Sequence, residues 1–278
     1  MDISAAMVKE LRDETGLGMM ECKKALIETN GDKAAAIKVL RERGMAIAGK
    51  KADRVAKDGR VACDIYDGGR TGVMIEVDCE TDFVARNTVF QAFMKDLVVK
   101  ARGAADGALA ESVKDQVQAK IAEIGENLIV RRNVRFAVQG EGIIAGYIHL
   151  GEKVGVLLEV GCSKAESVTQ GAFRDAVKDV TLQIAASNPA YLDRASVPAE
   201  VITAEREIYA KQVENKPANI VQKIVDGKLE KFYQQGCLIE QAFVKDPDVS
   251  ITEMLAARSK ELGDTLTVRR FVRYQVGA

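Results

Sequence analysis

The sequence predicts an α+β fold made of a three-helix N-terminal module, two related α+β subdomains and an inserted helical hairpin. Three observations predict it. The first 44 residues divide into three short helical stretches that each close on glycine, the chain from residue 61 onward contains a duplication, and all four prolines fall within one stretch of the second copy.

The helical stretches run from Ser4 to Thr15 before Gly16, from Met20 to Thr29 before Asn30-Gly31, and from Asp32 to Arg43 before Gly44. Glycine just past the last turn is a common helix stop, because it enters the left-handed conformation without strain. Ser4 and Asp32 are suited to cap backbone N–H groups. Met7, Leu11, Ala25, Leu26, Ile37 and Leu40 are spaced to line a small shared core. Ala46 to Gly59 then reads as a linker, so residues 1–55 are expected to form the module and its linker.

The duplication has two gapless parts. Residues 65–96 match 148–179 at an offset of 83, with Gly68/Gly151, Gly72/Gly155, Glu76/Glu159, Cys79/Cys162 and Phe90/Phe173 among the identities. Each copy looks like a hairpin followed by a helix. Residues 123–138 match 261–276 at an offset of 138, and both copies read as helix end, glycine, strand. Val130, Arg132, Val134 and Phe136 alternate with other residues at the strand period, as do Val268, Arg270, Val272 and Tyr274.

Because the offsets differ, the second copy carries about 55 extra residues, and Pro189, Pro198, Pro217 and Pro247 mark them. Helical runs from Ala199 to Val213 and from Ala218 to Tyr233, broken at Pro217, predict a hairpin with an apolar stripe on each arm. Ser250 and Glu253 have capping-box spacing and open the helix that follows. The expected divisions are 56–140 for core subdomain 1, 141–189 for the first part of subdomain 2, 190–245 for the hairpin, and 246–278 for the last helix and strand.

Composition bounds the function. The 278 residues are 47% apolar and 29% charged, enough for roughly two globular cores. No apolar run approaches the ~20 residues of a membrane span, and the N-terminus lacks the order of a signal peptide, so a cytoplasmic protein without a membrane partner is expected. Five unpatterned cysteines predict reduced thiols, and a single histidine, His149, argues against a zinc site or any metal cofactor. A net charge of -1 argues against nucleic acid as the main partner. The basic stretch 41–60 (Arg41, Arg43, Lys50, Lys51, Arg54, Lys57, Arg60) is the local exception and reads as a solvated linker more readily than as an RNA patch.

A segment that diverges between copies is free to serve something other than the common framework. Opposite Thr81-Asp82-Phe83-Val84 the second copy has Lys164-Ala165-Glu166-Ser167, while Phe90 and Phe173 are kept. Phe83, Phe90 and Leu97 stand seven residues apart, and by pattern alone a helix's core stripe is the favoured reading. The alternative is an apolar ring projecting from a strand-to-helix turn as an anchor, with Asp82 beside it.

The stretch Glu76-Val-Asp-Cys-Glu-Thr-Asp-Phe-Val-Ala-Arg86 resembles the second signature of the elongation factor Ts family, and Leu11-Arg-Asp-Glu-Thr-Gly-Leu-Gly-Met-Met-Glu-Cys-Lys-Lys-Ala-Leu26 resembles the first. The similarity extends to Ile124-Gly125, to Tyr147-Ile-His149 and to the hairpin. Asp78 departs from it, since the family usually has asparagine there. The resemblance implies a ubiquitin-associated-like N-terminal module, a duplicated core and a coiled-coil hairpin. It also implies a partner, elongation factor Tu, GDP-bound or nucleotide-free, whose GDP release is promoted without covalent chemistry. Asp82 and Phe83 would enter the GTPase near its Mg²⁺ site, His149, Ile124 and Gly125 would line the same contact surface, and Met19 and Met20 would dock on a GTPase helix. This reading reverses the choice at Phe83 in favour of the anchor.

Each of these residues also has a plain structural explanation. His149 suits a satisfied framework side chain, with Tyr66 as its counterpart; Ile124-Gly125 suits a helix stop, repeated as Leu262-Gly263; and Met19 and Met20 suit core or adaptable surface. The rival functions are an RNA-binding protein using 41–60, which lacks aromatic residues to stack bases, and an enzyme, for which no complete phosphate or dinucleotide loop occurs. A ubiquitin-like-binding adaptor is a third. The hairpin's apolar stripes permit either a homodimer or a contact with the GTPase, and the apolar stretch 236–244 predicts a buried surface.

Overall fold

Helix and sheet are mixed along the chain in the computed structural model, which describes residues 2–149, 151–213, 215 and 217–278. Ser4 accepts a hydrogen bond from the Met7 N–H to start α1 (Ala5–Thr15), and Gly16 ends it in the left-handed conformation. After α2 (Met19–Glu28), Asp32 accepts from the Ala35 N–H and starts α3 (Lys33–Lys51). Val8, Leu11, Cys22, Ala25, Leu26, Ala36 and Leu40 close into one buried cluster among these helices.

The first subdomain runs β1 (Asp58–Tyr66), β2 (Thr71–Cys79), α4 (Asp82–Ala85), α5 (Thr88–Ala101), α6 (Leu109–Ser112), α7 (Lys114–Ile124) and β3 (Leu128–Ala137). The second runs β4 (Gly142–Ile148), β5 (Val154–Gly161) and α8 (Gly171–Ser187). It then passes through the hairpin arms α9 (Ala199–Lys211) and α10 (Ala218–Gly236), a small ladder of β6 (Ala242–Phe243) and β7 (Asp246–Ser250), α11 (Ile251–Leu262) and β8 (Thr267–Gln275). Residues 214 and 216, between α9 and α10 in the sequence, lie outside the described residues.

Two three-stranded antiparallel sheets result, ordered β1-β2-β3 and β4-β5-β8, and each carries a bulge at the same place, after Glu76 and after Glu159. Each sheet turns one face to helices, with Phe90, Phe93 and Leu97 filling one core and Phe173, Val180 and Ile184 the other. The other two faces pack on each other through Val61, Met74, Phe136, Ile144, Leu157 and Tyr274. That packing explains a pair of glycines kept in both copies. A Cβ on Gly72 would lie 2.6 Å from Ile144, and one on Gly155 would lie 2.4 Å from Val61, so neither position tolerates a side chain where the sheets touch.

Two expectations need correction. Gly44 does not stop its helix: α3 continues to Lys51 through the first half of the expected linker. Gly44 is buried where α3 crosses α7, with a Cβ position 3.4 Å from that of Ala122, and Ala48 joins the core of the first subdomain. The glycine therefore serves close helix approach. The basic stretch is likewise not a free solvated linker: Arg41 pairs with Asp115 at 2.5 Å, Arg43 with Glu28, Arg54 with Glu80 at 3.6 Å and Arg60 with Glu152, while Lys51 donates to the Gly125 carbonyl. Within the apolar stretch 236–244, expected to be buried, Cys237, Leu238 and Phe243 are covered by the chain itself and the last two belong to the second core, while Val244 is exposed. Among the described residues no helix is long and apolar enough to cross a membrane.

Candidate functional site

β2 is buried along its whole length and ends at Cys79, after which the chain must turn within two residues to enter α4. One carboxylate holds that turn. Glu126 accepts from the Glu80 and Thr81 N–H groups at 3.1 and 3.0 Å and from the Thr81 hydroxyl at 2.6 Å, while Glu80 accepts in return from the Asn127 N–H at 2.7 Å. The Thr81 hydroxyl also caps α4 by accepting from the Val84 N–H. Cys79 donates its thiol to the Thr81 carbonyl at 3.2 Å, and burial pushes that thiol up to about 12. A thiol so displaced is inert as a nucleophile.

On this pinned turn Val84 and Ala85 face the first core, whereas Phe83 points out and is 82% exposed. The core-stripe reading of Phe83 is therefore overturned. α4 and α5 are separate helices, Asn87 caps the second by accepting from the Val89 N–H, and only Phe90 and Leu97 lie on it and are buried. Burial of such a ring is worth about 1.5–3 kcal/mol, and at Phe83 that burial is left unmade. Beside it Asp82 pairs with Arg86 at 3.2 Å in an exposed i,i+4 contact, weak enough for a partner to replace.

The second copy keeps the clamp and drops the tip. Asp264, the counterpart of Glu126, accepts from the Ser163 and Lys164 N–H groups and from the Ser167 hydroxyl, and Cys162 donates to the Lys164 carbonyl at 3.2 Å. Glu166 stands where Phe83 would be. Glu126 was missed among the candidates, although the conservative match of Glu126 with Asp264 at the offset of 138 was a signal that could have found it.

The structure brings Ile124 and Gly125 directly to this site, because Gly125 caps α7 in the left-handed conformation and hands the chain to Glu126. His149 lies beyond the start of β1, in the turn between β4 and β5. Its Nδ1 is 2.9 Å from the Tyr147 hydroxyl, and Lys153 of the same turn binds Asp58, the first residue of β1, which α4 also contacts. Burial raises the Asp58 carboxyl, but the Lys153 ammonium, the Gly59 N–H and the Arg86 guanidinium together hold it below the usual range. Met19 and Met20, 51% and 62% exposed, form a separate patch on α2 that Ile27 extends, a residue the sequence pattern did not single out. The loop before α2 touches the core where Gly16 packs against the Glu123 carboxylate, one residue from Ile124.

Comparison with known proteins bears on this arrangement. A family model described as elongation factor TS matches residues 80–278. Proteins named elongation factor Ts are similar over the full length: that of a Nitratiruptor species is 44% identical, with 100% of this chain and 94% of the relative covered. That of Nitratidesulfovibrio vulgaris is 42% identical with 100% and 96% covered, and that of Clostridium botulinum is 43% identical with 99% and 93% covered. The match over the whole length shows that the chain belongs to the elongation factor Ts family.

Proposed function

We propose that the protein is a guanine nucleotide exchange factor for elongation factor Tu, acting in translation elongation in the cytoplasm and without covalent chemistry of its own. The observation that carries this reading is Phe83, exposed at 82% on a turn fixed by Glu126. In this reading Asp82 and Phe83, flanked by Thr81 and Val84, enter the GTPase beside its Mg²⁺ site. Mg²⁺ demands near-ideal octahedral geometry, so small displacements of the elements that carry its ligands weaken nucleotide binding. A wedge favours the displaced state only by binding it better than the undisturbed one, and the coupling is reciprocal, so GTP displaces the factor in turn.

The remaining candidates fit around that wedge. His149, Ile124 and Gly125 line the same contact surface, and α1–α3 serve as a ubiquitin-associated-like module that presents Met19 and Met20 to a GTPase helix. The chain divides as 1–55, 56–140, 141–189, 190–245 and 246–278, and the hairpin acts as a coiled-coil arm for the GTPase or for a second copy. The test is release of fluorescent GDP from elongation factor Tu with Mg²⁺ present, comparing the protein with Phe83→Ala over a range of concentrations. Acceleration by the parent with a loss of about tenfold or more in the variant is expected, since a central aromatic anchor is worth roughly 2 kcal/mol. No acceleration by the folded parent would sink the reading.

A further inference from the structure

The two copies treat the outer edge of their last strand differently. In the first, the segment after α5 covers β3: Asp106 accepts from the Arg135 N–H at 2.7 Å, the Gly107 N–H donates to the Asn133 carbonyl at 3.1 Å, and the Asn133 side chain holds Ala105 and Leu109. These bonds show that the Arg135 N–H and the Asn133 C=O point away from β2. In the second copy the equivalent groups, by the offset of 138 and the same register and bulge, are the Arg273 N–H and the Phe271 C=O on β8. Among the described residues neither has a hydrogen-bond partner in the chain. The insertion has replaced the covering segment.

What stands there instead is a groove of about 470 Å³ between β8 and the loop 188–192. Its far wall is fixed, because the Tyr191 N–H donates to the Gly236 carbonyl and the Leu238 N–H donates to the Tyr191 carbonyl. Arg269, Arg270 and Arg273 line the groove, and among the described residues no acidic one does. Arg269 and Arg270 share the one carboxylate of Glu159, and Arg273 donates to the Ala185 carbonyl and the Gln275 side chain, neither of which carries charge. The guanidinium groups of Arg269 and Arg270 turn inward to Glu159, the first also reaching the Glu141 carbonyl and the second lying over the Phe136 ring, so the groove combines an open strand edge with one guanidinium, that of Arg273, that meets no carboxylate. Arginines on an edge deter pairing with another basic edge, which narrows the occupant by charge.

We propose that β8 is a docking edge for an extended acidic peptide segment, which adds a strand along Phe271 to Arg273, at the groups whose counterparts Gly107 and Asp106 bond in the first copy, and sets a carboxylate beside the Arg273 guanidinium. Strand addition supplies main-chain hydrogen bonds and the Arg273 guanidinium supplies selectivity.

The test uses the full chain and three labelled probes: a peptide of about eight residues, the length of an ordinary strand, alternating valine with aspartate; its counterpart with lysine in place of aspartate; and a single-stranded RNA of similar charge. Saturable binding of the acidic peptide is expected, weakened by about tenfold with the lysine peptide and to a similar degree in Arg273→Gln, as for loss of a charge-assisted contact. At saturation the Arg273 amide should become protected from hydrogen exchange in the parent. This readout uses no variant and does not depend on one folding. Equal binding of the acidic and lysine peptides, an unchanged Arg273 amide, or preferential binding of the RNA would each overturn the proposal. Because no GTPase is present in the assay, its outcome is independent of the exchange activity.

Discussion

Arg132 and Arg270 stand at equivalent places in the two sheets, and each lays its guanidinium over a ring from the other sheet, Arg132 over Tyr274 and Arg270 over Phe136, both at 4.2 Å. The rings are themselves equivalent by the duplication. Each arginine also binds a buried glutamate at its own bulge, Glu76 at 2.6 Å and Glu159 at 2.7 Å, and reaches a carbonyl across the interface, of Gln275 and Ala137. The two subdomains are thus joined by a reciprocal pair of the same device, which accounts for Glu76/Glu159 and Arg132/Arg270 being kept in both copies.

The two halves of that device differ in how well the glutamate is satisfied. Glu159 has three donors, Arg270, Arg269 and the Gln139 N–H, and although burial raises its carboxyl, these hold it below the usual range. Glu76 has Arg132, which offsets burial only in part, and nearby Asp78 adds repulsion, so its carboxyl is raised. Arg132→Ala is therefore expected to cost more than Arg270→Ala, about 2–3 against about 1–2 kcal/mol in urea denaturation at neutral pH, both reduced because the guanidinium faces water on one side. Lowering the pH should narrow the Arg132→Ala deficit as the orphaned Glu76 takes up a proton. Equal losses would contradict the asymmetry.

Asp78 is fully buried, binds Arg131 at 2.8 Å through Oδ2, and leaves Oδ1 without a partner. Burial raises its carboxyl, and Arg131 offsets this only in part. A carboxyl raised in the folded state binds its proton more tightly there than in the unfolded chain. Its contribution is present below the unfolded value of about 3.9 and is lost as pH rises through the higher folded value. Asp78→Asn removes the ionisation, keeps an acceptor for Arg131 and places a donor beside Glu76. It should raise stability by about 1 kcal/mol at pH 7, in the range of one relieved unsatisfied polar group. Melting temperatures of the two proteins should converge as pH falls below 4, and a constant gap at every pH would refute the account.

Glu126 and Asp264 make the same clamp under different tips, which provides an internal control. Removing either carboxylate should loosen its turn, but only Glu126→Ala should slow nucleotide release from elongation factor Tu, by about tenfold, the penalty expected when a positioned group loses its support. Asp264→Ala should leave exchange rates unchanged while changing the acid limb of stability. The Ser167 hydroxyl and three backbone N–H groups hold the Asp264 carboxyl down to about 2, so its contribution is present above about 3.9 and is lost as pH falls toward 2. Exchange that falls equally in both variants would mean the clamp acts through general stability.

Much of this was legible because repeated residues carry repeated physics. The identities at Gly72/Gly155 and Glu76/Glu159 pointed to two like sheets, and the structure supplies the reason in close sheet contact and in paired bulges. Gly44 misled because a glycine that stops a helix and one that admits a neighbouring helix look alike in sequence; only the crossing with Ala122 separates them. Phe83 was ambiguous because its spacing from Phe90 and Leu97 is helical, while the break at Asn87 that divides α4 from α5 hides in a single polar residue. The clamp was obscured for another reason. Glu126 and Asp264 do the same work with different side-chain lengths, so identity alone passed over them.

The corrected course of α3 gives a final prediction about the tie between module and core. Gly49 is helical and has nothing near its Cβ position, whereas Gly44 faces Ala122 at 3.4 Å, an ordinary contact distance for a methyl group but not for anything larger. A glycine inside a helix costs roughly 0.5–1 kcal/mol relative to alanine, so Gly49→Ala should stabilise by about that amount. Gly44→Ala should fall between neutral and the same gain, and Gly44→Leu should lose about 1–3 kcal/mol by forcing α3 away from α7. Were Gly44 instead the end of its helix, as its sequence suggests, alanine there would be destabilising and leucine would be no worse. The order of the three variants in thermal denaturation therefore decides whether α3 is a continuous strut between the helical module and the first sheet.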